Sequence, residues 1–142
     1  MTVSAGTNFD ILIIVGTTLE IHLKDVSVNV LKNAAAGNTQ FQLFEAVTVS
    51  ANGTAATIFN NNRNSSITPD FSAYTTPTVT GTGKQLIGYL THNDWETYVA
   101  PSYTNMWEII LKTNTKYMLR FFNNTNQSNV FTYLYWLFQD AL

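Results

Sequence analysis

Apolar residues in this chain recur at every second position, and that period admits strands and little else. Ile21 and Leu23 alternate with His22 and Lys24, and then Val26, Val28 and Val30 alternate with Ser27 and Asn29. Between the two runs the apolar phase slips by one residue. A slip of one moves every later side chain to the opposite face of a sheet, so a bulge or strand break is expected at Lys24–Asp25. Phe41 and Leu43 alternate with Gln40 and Gln42 in another short strand. Trp107, Ile109 and Leu111 share one face of a further strand. In the next, Tyr117, Leu119 and Phe121 lie on one face, with Met118, Arg120 and Phe122 opposite. Asn114, between these two strands, is a turn residue that predicts a short hairpin. Helical periodicity is weak throughout: one turn at Leu31–Ala36, ended by Gly37, is the single candidate.

Turn signals at Ala36-Gly37-Asn38, Ala51-Asn52-Gly53 and Gly81-Thr82-Gly83 separate eight or so strands. This spacing predicts an all-β fold, an antiparallel β-sandwich. Residues 19–142 are expected to form a single sandwich domain, and residues 1–18 a less regular N-terminal arm or covering segment. No internal repeat and no linker stand out. The last strand, Val130–Gln139, is apolar on both faces. A lone sandwich buries one face of a strand, so the second must meet residues 1–20 or another subunit. Phe131, Tyr133 and Tyr135 are the candidates for a subunit interface, since aromatic side chains dominate such cores.

Composition narrows the partners. At 142 residues the chain is long enough for one packed domain. Charged residues make up 11% and the formal net charge is −2, without the basic patch that a nucleic-acid partner would call for. Asn and Thr together number 37, which suits many short strands and many turns. There are no cysteines, so neither disulfides nor thiolate metal sites hold the fold. The apolar run Phe9–Val15 is broken by Asp10 and is far shorter than the ~20 residues of a membrane-spanning helix, so no membrane association is expected. The N-terminus lacks a basic region of signal-peptide type.

Catalytic chemistry finds no motif. His22 has only Glu20 nearby in sequence and reads as a surface histidine. Asp94 and Glu96, two apart beside His92, could share a hard cation on a strand, but a solvated loop is the stronger reading. No serine lies in a nucleophile elbow, and Gly81-Thr82-Gly83-Lys84 lacks P-loop spacing. No enzyme activity, cofactor or metal is expected. The run Asn60-Asn61-Asn62-Arg63-Asn64-Ser65-Ser66 is the densest set of recognition groups. Asn60, Asn62 and Asn64 both donate and accept, and Arg63 offers a planar five-donor fork. These four residues would either meet a partner, with Arg63 on a carboxylate, or organise their own loop through its carbonyls.

Two segments carry a family resemblance. Phe41–Ser66 reads FQLFEAVTVSANGTAATIFNNNRNSS, and Trp107–Arg120 reads WEIILKTNTKYMLR. They resemble the decoration, or capsid cement, proteins of tailed-phage heads. That family shows F-E-L-Y-E-G/A-x-T-V-S-x-x-G-T, then N-R-N-R-N-S-S, then H-T-P-T-V-T-x-x-G, then W-I-L-K-x-N-T-K-Y-L-L-R. This chain departs from it at Gln42, Phe44 and Asn61, and lacks a His before Thr76-Pro77. The resemblance implies a jelly roll. It implies a protein on the outer surface of the phage head that binds the assembled major capsid protein lattice, stabilises the virion and forms a homotrimer. A carbohydrate- or receptor-binding module of the virion is the alternative, with Trp95, Tyr98 and Tyr103 available to stack on a sugar ring.

Overall fold

The computed structural model describes residues 2–31, 37–58, 66–91 and 108–139. The regular structure of the described residues is all strand. In chain order the strands are β1 (Thr2–Val3), β2 (Thr7–Val15), β3 (Ile21–Leu31), β4 (Gly37–Glu45), β5 (Thr48–Ala51) and β6 (Thr54–Ala55), followed by β7 (Phe71–Thr75), β8 (Thr78–Gly81), β9 (Lys84–Thr91), β10 (Ile109–Leu111), β11 (Lys116–Thr125) and β12 (Asn129–Gln139). They form a four-stranded sheet, β1-β12-β3-β10, a six-stranded sheet, β6-β7-β2-β11-β4-β9, and a separate pair, β5-β8. Every pairing is antiparallel.

With β5 to β8 set aside, eight strands remain, and their pairing is nested. β1 pairs with β12, β2 with β11, β3 with β10 and β4 with β9. These are the rungs of one long antiparallel ribbon. Rolling that ribbon brings β12 beside β3 and β11 beside β4. The result is a jelly roll.

The core lies between the two large sheets. Ile11, Ile13 and Val15 of β2, Leu43 of β4 and Tyr117, Leu119 and Phe121 of β11 point inward from one sheet. Val3, Ile21, Leu23 and Leu111 meet them from the other. Each apolar side chain buried this way contributes roughly 1.5–3 kcal/mol. On β11 and β10 the inward residues are those that the alternation picked out.

Two expectations meet the structure differently, and a third is met. Residues 1–18 do not form an arm beside the sandwich: β1 and β2 belong to the two sheets, and β2 sits at the middle of the larger one. Leu12 is buried as completely as Ile11 and Ile13 on the other face, so beyond Asp10 the strand is apolar on both sides. Asn114 does adopt the left-handed conformation of a turn residue (φ 53°), but the strands it joins are not a hairpin. β10 pairs with β3 and β11 with β2 and β4, so the turn crosses from one sheet to the other. The phase slip at Lys24–Asp25 is a bulge: Trp136 pairs with Asp25 and Leu137 with Leu23, and Lys24 is the residue the ladder skips.

Candidate functional site

The segment between β4 and β9 does more than connect them. β5 and β8 form a small flap whose Val49 and Val79, with Val47, pack on Phe44 and Met118 of the six-stranded sheet. This second apolar cluster lies on the sheet face turned away from the main core.

On the same outward face Asp10 and Arg120 are opposite one another in the β2–β11 register. The guanidinium donates from Nε to Asp10 Oδ1 and from Nη2 to Oδ2, each at 2.8 Å, a bidentate fork. Asp10 is 6% exposed. The paired carboxylate raises the Arg120 pKa further, and the guanidinium lies 5.7 Å from the centroid of the Phe44 ring. A charge pair removed from water is held only where such geometry compensates the lost hydration.

At the end of β4, Glu45 joins two elements. Lys112 Nζ donates to Glu45 Oε1 at 2.8 Å, and Tyr117 Oη donates to Oε2 at 3.1 Å while accepting the Lys112 backbone N–H at 2.8 Å. The Lys112 ammonium holds the Glu45 carboxyl below its ordinary range. Burial, and then the Glu45 carboxylate, push the Tyr117 hydroxyl up to about 12. On the four-stranded sheet His22 is largely covered rather than a surface residue, and its Nδ1 lies 2.5 Å from Glu108 Oε1.

Asn60, Asn62, Arg63 and Asn64 lie outside the described residues, but the roots of that run, the residues that lead into and out of it, are defined. The Ala56 N–H donates to the Ala73 carbonyl at 2.8 Å, which fixes the departing chain at the sheet edge. The returning chain is held at Asp70, whose Oδ2 accepts the N–H groups of Thr18 and Leu19 at 2.8 Å. Between these roots Ile67 is 60% exposed, a large apolar side chain beside the polar run. Phe131, Tyr133 and Tyr135 lie on β12, in register with Val30, Val28 and Val26 of β3, and their side chains fall outside the described residues. His92, Asp94, Trp95, Glu96, Tyr98 and Tyr103 also lie outside them. Among the described residues no group of three or more His, Asp or Glu side chains is placed to hold a metal ion.

Comparison with protein-family models, with curated proteins and with solved structures finds no match for this chain. The two segments that carry the family resemblance are nonetheless neighbours. Tyr117–Arg120 of β11 runs beside Gln42–Glu45 of β4, pairing Tyr117 with Glu45 and Arg120 with Gln42. Sequence reasoning missed Asp10 as the partner of Arg120. The signal available was a lone carboxylate inside the apolar run Phe9–Val15.

Proposed function

We propose that this protein is a head decoration, or cement, protein of a tailed phage. It binds the outer surface of the assembled major capsid protein lattice and braces the head. The observation that carries this reading is the pairing of β4 with β11, which unites the two resembling segments in one ladder although some seventy positions separate them. Two resembling segments that each contribute a strand to one ladder reflect a shared packing unit more readily than chance composition.

The work is binding alone. Asn60, Asn62, Arg63 and Asn64 supply hydrogen bonds to the capsid from a run whose departing end is fixed at the sheet edge, with Ile67 as an apolar contact beyond them in sequence. Individually weak contacts gain strength by repetition when a homotrimer engages a symmetric lattice. The protein acts on the virion surface without cofactor, nucleic acid or membrane.

Co-sedimentation tests the reading. Purified protein is mixed with heads of its own phage assembled without it, across a salt series. Saturable binding to expanded heads at a fixed ratio to the major capsid protein is expected. With 11% charged residues, that binding should weaken only modestly as salt rises. Absence of binding to every head form refutes it, and a positive glycan array in that case would favour a sugar-binding module.

A further inference from the structure

Thirty positions separate a series of matched features. β4 ends at Glu45 and β7 at Thr75. The next residues, Ala46 and Thr76, are both left-handed, with φ of 59° and 53°. Flap strands follow at Thr48–Ala51 and Thr78–Gly81. Then come Gly53 and Gly83, both at positive φ, and new strands begin at Thr54 and Lys84. Phe41 and Phe71, Thr48 and Thr78, and Val49 and Val79 are identical at this offset, and Phe44 matches Tyr74.

The pairing obeys the same offset. Thr54 and Ala55 pair with Thr75 and Tyr74, and Lys84 and Gln85 pair with Glu45 and Phe44. Val49 pairs with its own equivalent, Val79. β7 lies beside β2 and β4 beside β11, with Ala73 opposite Ile13 and Leu43 opposite Leu119. The sheet order β6-β7-β2-β11-β4-β9 therefore reads alike from either edge. A local two-fold axis passes through the Val49–Val79 pair in the flap and the Leu12–Met118 pair in the sheet below.

We infer that residues 41–55 and 71–85 are two copies of one folding unit, and that each copy seats the turn of the other. The glycines carry the reciprocity. A Cβ on Gly53 would lie 2.2 Å from the Thr75 carbonyl oxygen and 2.7 Å from that of Thr76. A Cβ on Gly83 would lie 2.1 Å from the Glu45 oxygen and 2.7 Å from that of Ala46. Each turn is pressed onto the left-handed corner of the opposite copy, at a φ that only glycine adopts readily. The flap is thus a mutual clasp, closed by two equivalent contacts over Phe44, Met118 and the paired valines. Alternation analysis misses such a repeat because four identities in fifteen residues vanish among short Thr- and Val-rich strands.

Exchange of the two flap segments tests this. Residues 50–52 and 80–82 are swapped as Ser50→Thr, Ala51→Gly, Asn52→Thr, Thr80→Ser, Gly81→Ala and Thr82→Asn. The exchanged protein should unfold cooperatively with a Tm within about 3 °C of the parent. A second variant, Gly81→Ala alone, separates this reading from one based on local contacts. Its Cβ would sit 2.6 Å from Thr48 Oγ1, which by itself forecasts a loss. Ala51, however, already stands opposite Thr78 at the equivalent place, so Thr48 can take the rotamer that Thr78 uses and Gly81→Ala should be tolerated. Gly53→Ala and Gly83→Ala should lower Tm by matching amounts, at least about 5 °C each. Loss of cooperative unfolding in the exchanged protein, a large loss for Gly81→Ala, or a glycine pair in which one member is insensitive would each overturn the inference.

Discussion

Asp10 and Arg120 hold opposite charges where water scarcely reaches, so each depends on the other. Asp10→Leu or Arg120→Met alone strands a charge and should lower stability by about 3–5 kcal/mol, measured by urea unfolding. The double variant should recover most of that loss, because two apolar side chains need no compensation there. A second prediction concerns Tyr117. Its hydroxyl is raised to about 12 in the fold against an ordinary value of 10.0. The unfolded chain therefore releases this proton first as pH rises, and stability from this group is complete below about 10 and lost between 10 and 12. The urea midpoint should fall across that window in the parent and more shallowly in Tyr117→Phe. In an absorbance titration Tyr117 should ionise late, and that late component should be missing from the variant. Much at this scale was legible: alternation alone set Tyr117, Leu119 and Phe121 against Met118 and Arg120. The partner of Arg120 was not, because a register between residues 110 apart in sequence leaves no local trace.

At the scale of the element, the bulge in β3 makes a counterintuitive prediction. Lys24 is the residue that the β3–β12 ladder skips, so deleting it should regularise the strand and cost under about 1 kcal/mol. Deleting Ser27 removes one residue as well, yet it draws Asp25 into the place where Val26 pairs with Tyr135, and should cost several times more. Urea unfolding of the two deletion variants checks the pair. The bulge could be read from sequence because it shifts the apolar phase within a single strand. The false hairpin at Asn114 shows where such reading stops. A left-handed Asn specifies a local reversal of the chain, and the sheet that the next strand joins depends on contacts far away. The same holds for β2, which read as a covering segment because its place between β7 and β11 is set by strands far along the chain.

For the whole molecule, the place of β2 predicts the effect of truncation. Removing residues 1–15 takes out the strand between β7 and β11, and should abolish cooperative thermal unfolding followed by circular dichroism. A detachable arm would leave that transition intact. All-β architecture could be inferred from period and turns, and the jelly roll from resemblance, but neither the two-fold flap nor the inclusion of the N-terminus could, since both arise only when distant strands meet. The nested ribbon has a consequence for synthesis. Chains emerge from the ribosome N-terminus first, at roughly 5–20 residues per second. β2 leaves early with Ile11, Leu12 and Ile13 exposed. Its first neighbour, β7, arrives only with residue 75, and its second, β11, only after residue 116. β1 waits for residue 130. The nascent chain thus carries an adhesive strand for most of its translation. Charge at Asp10 and polar Asn8 at its start are then protections for the unfinished chain as much as parts of the finished one.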